Sequence, residues 1–387
     1  MANLETRLTA AVDAAAEAGI AGGKIVGAAT RVTLDGRLVY TRALGFADRE
    51  AGVKLHDDMI FRLASMSKSM VAATALALVE RGKLGLDDPA SRYLPTFRPK
   101  LKDGTAPDLL VRQLMTHTSG LTYGFVQRPG HPYHRANVSD GMDQPGLSMA
   151  ENLQRIASVP LEFAPGTAWG YSVSIDVLGA VIAAANDSTL AEAVRRYVTE
   201  PLGMSDTGFA PPDRARLVTP YADGGATPVR MGDPQRVARP EDPETHLVFS
   251  PARVFDEDSF QSGGAGMNGT TADYTRFMEA LRMDGGPILK TETVAMAARN
   301  HIGTIPREPK DAGLRNALFG GMIDDPIAAK TPQSAGTLTF GGAWGHSGFM
   351  DKARGLSVVT LTNTAVEGVS GVFPTTIRDA IYAALAD

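Results

Sequence analysis

The sequence predicts an α+β fold: an α/β sandwich with one antiparallel sheet built from both chain ends, flanked by helices, and a mainly helical insertion. Three observations lead there. Runs rich in β-branched and apolar residues cluster near the termini, at 24–33 and 37–43 and again at 337–350 and 356–363. The stretch 87–204 reads as short helices and loops. The run 70–79 is apolar except for Thr74, the mark of a helix buried on every side, and it is too short to cross a bilayer. The division that follows is a discontinuous sheet domain, 1–86 with 205–387, and a helical domain, 87–204.

Taken in order, residues 4–18 put Leu4, Leu8, Ala11, Val12 and Ala15 at helical spacing and stop at Gly19. The next two strands join at Asp35-Gly36, a strong hairpin signal. The buried helix follows, with Ser65 and Lys68 in its first turns and Gly82 as the residue after its cap. Short helices are expected at 109–116, 148–157, 175–185 and 190–199, around a long Gly/Pro-rich loop at 127–146. Thr270 or Thr271 caps a helix to about Leu281. The two late strands join through a turn at 351–355, and a closing helix covers 373–386.

Composition narrows the function. A net charge of −5 without a basic run argues against nucleic acid as a partner. The absence of cysteine removes disulfides, a thiolate nucleophile and cysteine-based metal sites. The first residues lack a basic region followed by an apolar stretch, so the expected location is cytoplasmic, with no membrane partner. No cofactor is expected.

The chemistry centres on Ser65 and Lys68. Three residues apart on a helix, their side chains share one face. A lysine drawn out of water at the mouth of an apolar helix, beside a serine hydroxyl, is an activated-nucleophile arrangement.

Four features together resemble the serine β-lactamase-like family that holds class C β-lactamases, serine D,D-peptidases and family VIII carboxylesterases, a likeness running from about residue 5 to 385. They are Ser65-Met-Ser-Lys68, the turn Leu114-Met-Thr-His-Thr-Ser-Gly-Leu121, Tyr171-Ser-Val173 and a glycine-rich strand near the C-terminus. The resemblance implies a β-lactamase/transpeptidase-like fold and a catalytic centre of Ser65, Lys68 and Tyr171. A tyrosine beside a lysine ammonium ionises more easily than a free phenol, so either Tyr171 or Lys68 has the chemistry of the base.

Two departures from the family pattern shape the expected substrate. Val173 stands where β-lactamases carry an asparagine, and no Lys-Thr-Gly strand motif exists. Phe340-Gly341-Gly342 resembles the aromatic-Gly-Gly version of that motif in family VIII esterases, and His346-Ser347-Gly348 a His-x-Gly version. The first is preferred because it leaves a full strand before the turn at Asp351. It implies an oxyanion hole from the backbone N–H groups of Ser65 and Ala343; the alternative register pairs Ser65 with Phe349. Tyr123, Phe340, Gly341, Gly342, Trp344 and His346 are the candidate substrate-binding residues. Loss of a cationic motif lysine points to small neutral esters hydrolysed through an acyl-enzyme, with β-lactamase, peptidase or amidase, and acyltransferase as alternatives on the same centre.

Three other patterns carry less. Gly264-Ala-Gly-Met-Asn-Gly269 matches a dinucleotide fingerprint but follows no strand; its glycines are expected to let backbone pass close to the site. His131, His134, Asp140 and Asp143 lie in an irregular loop without a metal-ligand spacing, so no metal is expected. Gly368-Val-Ser-Gly371 lacks the last glycine of a nucleophile elbow.

Overall fold

The computed structural model describes residues 2–223, 225–308 and 311–386. Its main sheet has eight strands: β1 (Gly27–Leu34), β2 (Arg37–Asp48), β3 (Val53–Lys54), β4 (Leu314–Ala317), β5 (Gly320–Ile323), β6 (Leu338–Gly342), β7 (His346–Asp351) and β8 (Leu356–Thr362). They lie in the order β4-β5-β6-β7-β8-β1-β2-β3, antiparallel at every pairing. The chain ends meet where β1 pairs with β8, from Ala28 opposite Thr362 to Leu34 opposite Leu356. Thr30 and Thr360 hydrogen-bond across that buried seam at 3.1 Å.

Alternation sorts the side chains of these strands onto two cores. On one face Ala28, Val32, Phe349, Leu356 and Val358 pack with Leu8 and Val12 of helix α1 (Ala2–Ala21) and with Ile377 and Ile381 of helix α5 (Phe373–Ala386). On the other, Ala29, Met350, Val359 and Leu361 join the core that contains α2 (Ser67–Glu80), α3 (Ser174–Asn186) and α4 (Thr271–Arg282). Helix α2 is buried from Ser67 through Leu78. Burying each of Met70, Val71, Leu76 and Leu78, all fully buried, stabilises the fold by roughly 1.5–3 kcal/mol. It ends with Gly82 at φ +66°, the left-handed residue that follows its cap. Between 87 and 204 the described residues hold helices and turns and no strand. Among the described residues, no single helix is long and apolar enough to cross a membrane.

Three expectations need correction. The run 337–350 is a hairpin, β6 and β7, because Gly345 turns at φ +111° where a Cβ would stand 2.2 Å from the Thr364 carbonyl oxygen. Ser65 sits in a short 3-10 turn, Ala64–Met66, ahead of the α-helix. The preceding Phe61–Arg62 is a strand paired with Asn268–Gly269. Strands β4 and β5 have no counterpart in the sequence reading: each is four residues long, and β5 opens on two glycines, with little apolar alternation to reveal them.

His346, at the head of β7, is buried and donates Nε2–H to the Arg62 carbonyl oxygen at 2.7 Å. Burial pulls its pKa down from 6.5 to about 4. The unfolded chain therefore takes up a proton that the folded chain refuses, and stability falls as pH drops from 6.5 toward 4. Urea midpoints measured from pH 7.5 to 4.5 should decline over this window. A His346→Gln variant, which keeps a side-chain donor, should show a shallower decline.

Candidate active site

The backbone delivers Ser65 through a constrained turn. Ala64 adopts φ +45°, a left-handed conformation that costs a non-glycine residue on the order of 1–2 kcal/mol. Lys68, one turn along at the start of α2, is buried. Its Nζ donates to Ser65 Oγ at 3.0 Å and to the Gly264 carbonyl oxygen at 2.7 Å. Tyr171 arrives from the loop before α3, with its Oη 2.8 Å from Ser65 Oγ. Two activating groups thus converge on one hydroxyl, and Lys68 Nζ lies 4.9 Å from the centre of the Tyr171 ring. The three residues that sequence pattern singled out are brought together.

The glycine run does what its composition suggested. At Gly263 a Cβ would stand 2.5 Å from the Ile175 carbonyl oxygen, and at Gly264 it would lie 2.5 Å from Asp176 Oδ2. Only bare backbone fits there, and it supplies the carbonyl that holds Lys68. Asp176, fully buried in α3, fixes this segment: Oδ1 accepts from Gly264 N at 3.1 Å and from Ser262 Oγ at 2.5 Å. Burial raises the Asp176 pKa, against the pull of these donors and of Lys68.

The opposite wall is β6. Phe340, Gly341, Gly342 and Ala343 line a cavity of about 480 Å³ that also contains Ser65, Lys68, Tyr171, Tyr123 and His117. A Cβ at Gly342 would stand 2.4 Å from the Leu63 carbonyl oxygen, so the strand passes the nucleophile turn as closely as backbone allows. Ala343 follows Gly342, the last residue of β6 paired with β7. Tyr123, stacked on Phe125 with ring centres 4.5 Å apart, forms part of the floor. Burial, and then the Asp176 charge, push its phenol pKa well up.

Three residues named from sequence stand elsewhere. Trp344 packs against Phe249 with ring centres 4.6 Å apart and under the Arg62 guanidinium, outside this cavity. His346 is occupied by the Arg62 carbonyl. Phe349, the alternative oxyanion residue, lies mid-strand in β7 opposite Thr339, and its side chain enters the core beneath α1 and α5. Hairpin geometry explains all three: Trp344 lies in the turn at 343–345, and His346 and Phe349 lie beyond it on β7.

Several lining residues escaped the sequence reading. His117 is buried at φ +58°, 4.9 Å from the Tyr171 ring. Burial, then the Lys68 and Arg307 charges, hold its pKa well below the usual histidine value. Trp169 stacks on Tyr171 and lies under Arg307, whose charge centre is 4.4 Å from the indole. The Leu114–Leu121 motif was a signal for His117; a lone tryptophan and arginine far apart in sequence gave none. Of the weaker patterns, His131 bonds Glu162 and His134 bonds the Gly124 carbonyl, while Asp140, Val369 and Ser370 reach the cavity wall.

A family model described as Beta-lactamase matches residues 12–381. Esterase EstB of Burkholderia gladioli is 46% identical over 376 residues, 97% of this chain and 95% of that protein. Among solved structures, EstCE1, described as a hydrolase with promiscuous acyltransferase activity, superposes with a TM-score of 0.93 at 38% identity, covering 98% of this chain and 99% of that one. A penicillin-binding protein homologue from Caulobacter crescentus, at 22% identity and a TM-score of 0.71, covering 98% of this chain and 97% of that one, shares the fold.

The contact at Gly342 is testable. Gly342→Ala forces a methyl against the Leu63 carbonyl and displaces the nucleophile turn. Turnover of p-nitrophenyl butyrate should fall at least tenfold, and the unfolding free energy from urea titration should drop by roughly the 1–3 kcal/mol typical of overpacking. Unchanged kinetics would show that β6 and the turn at Ser65 move independently.

Proposed function

The chain belongs to the Beta-lactamase family, and we propose that within it this protein is a serine carboxylesterase that hydrolyses small neutral carboxylic esters through an acyl-enzyme on Ser65. The observation that carries the proposal is the convergence of Lys68 Nζ and Tyr171 Oη on Ser65 Oγ at the bottom of a substrate-sized cavity. The esterase named among its relatives, 46% identical over 376 residues, points the same way.

In this reading Ser65 Oγ attacks the ester carbonyl carbon and its proton passes to the Lys68–Tyr171 pair. The tetrahedral oxyanion sits between the N–H groups of Ser65 and Ala343, each contributing on the order of 3 kcal/mol. The C–O bond to the alcohol then breaks, and the same pair returns the proton to the departing oxygen. Water, deprotonated by that pair, releases the acid and restores Ser65. Where an alcohol takes the place of water, the acyl group is transferred to it; acyltransferase activity is described for EstCE1.

The wall chemistry supports a neutral substrate. Arg307 is already held by Asp311 at 2.9 Å, and Arg239 stands 3.5 Å from Glu241. The apolar side of the cavity, with Phe125, Val126, Met142 and Leu247, suits a short to medium hydrocarbon arm.

The test is a comparison of p-nitrophenyl butyrate with nitrocefin. Rapid turnover of the ester and little of the β-lactam is expected, with Ser65→Ala lowering ester turnover by several orders of magnitude. Faster hydrolysis of nitrocefin would replace the esterase with a β-lactamase, and a fully active Ser65→Ala would remove Ser65 from its role.

A further inference from the structure

Behind Tyr171 runs a chain of buried hydroxyls that ends on a histidine. Ser119 Oγ and Ser174 Oγ are 2.7 Å apart, Ser174 Oγ and Ser172 Oγ are 2.7 Å apart, and Ser172 Oγ is 3.0 Å from His117 Nδ1. All three serines are fully buried. At the far end, Ser119 Oγ also accepts the Leu121 N–H at 3.3 Å.

Proton counting gives this chain a direction. Each hydroxyl has one proton to donate. If Ser119 donates to Ser174, Ser174 to Ser172 and Ser172 to His117 Nδ1, every proton has an acceptor. In the reverse sense, Nδ1–H donates to Ser172 and the last proton falls to Ser119. That oxygen's remaining contact is a donor, the Leu121 N–H, so a fully buried O–H would be left without an acceptor, at a cost of roughly 1–3 kcal/mol. The favoured sense leaves Nδ1 as a lone pair and puts the ring proton on Nε2.

His117 lines the cavity beside Tyr171, and among the described residues its Nδ1 is the ring nitrogen that makes a hydrogen bond. We propose that the serine chain locks His117 as its Nε2–H tautomer and that this N–H is a substrate-contacting donor, aimed at an oxygen of the bound ester. The groups that face the ring agree. Lys68 from α2 and Arg307 beside Trp169 both oppose a second proton, and Tyr171 and Trp169 pack against it without supplying an acceptor carboxylate. The contact to an ester rests on the functional reading above; the tautomer does not.

The test uses the full-length protein labelled with 15N-histidine. Long-range 1H–15N spectra contain seven histidines, and His117 is identified by the signal missing from His117→Gln. The expected result is an Nε2–H pattern that does not titrate between pH 5.5 and 8.5. It should shift when Ser65 is modified by a p-nitrophenyl alkylphosphonate. Ser172→Ala, which keeps the ring and removes the proton that Nδ1 accepts, should divide the signal between tautomers. Kinetically, His117→Phe should lower kcat/KM for p-nitrophenyl butyrate about tenfold and His117→Gln should recover most of it, as expected for one neutral hydrogen bond. An Nδ1–H tautomer, a cation in this range, or full activity in His117→Phe would overturn the proposal. Absence of ester turnover in the unmodified protein would instead fall on the esterase reading, and the tautomer would still be decided by the spectrum.

Discussion

The structure depends on one buried amine. Lys68 sits at the mouth of a largely apolar, buried helix, where a polar group without partners costs several kcal/mol. It is tolerated because two oxygens meet it: the Gly264 carbonyl and Ser65 Oγ. Each acceptor enforces something further. The carbonyl is within reach only because Gly263 and Gly264 carry no side chain and because Asp176 pins the segment from α3. The hydroxyl is within reach only because Ala64 turns the backbone through a strained conformation. The nucleophile turn, the buried helix α2 and the start of α3 are thereby tied at a single point, and Tyr171 is added from the loop before α3 at that same point.

Much of this was legible in the sequence, for identifiable reasons. The dry helix showed itself by composition, since a run apolar but for Thr74 and bounded by Ser, Lys and Gly suits a buried helix and little else. The terminal strands showed themselves by β-branched runs and an Asp-Gly turn, and β1, β2 and β8 lie where those runs are. Ser65, Lys68 and Tyr171 were found by spacing and family likeness together. The hairpin of β6 and β7 was not legible: 337–350 reads as one glycine-rich strand, and the turn is made by Gly345 at a positive φ, which a sequence rich in glycine does not single out. That one misplacement moved Trp344, His346 and Phe349 toward the site on paper, whereas the folded chain carries them away. His117 and Arg307 were missed for the opposite reason. Their surroundings come from neighbours distant in sequence: the Leu114–Leu121 motif holds His117 and Ser119 but not Ser172 or Ser174, and nothing local encodes an indole under a guanidinium.

The proposed preference for neutral esters follows from the same economy of charge. A carboxylate entering this cavity would leave water, and several kcal/mol would have to be returned by a fixed cation. The two arginines at the wall are engaged by Asp311 and Glu241, and Lys68 is committed to Ser65 and Gly264. Diverting any of them to the substrate would strand its present partner, with a second desolvation cost. A neutral ester asks for neither exchange. Its carbonyl oxygen takes up charge only as the tetrahedral intermediate forms, where the N–H groups of Ser65 and Ala343 are proposed to stand, so the electrostatic stabilisation is concentrated on the transition state and little is spent on the ground state. The aromatic-Gly-Gly sequence on β6 fits this logic: it replaces a lysine-bearing strand with one whose glycines admit close approach and whose phenylalanine adds apolar surface, which favours selection by shape over selection by charge.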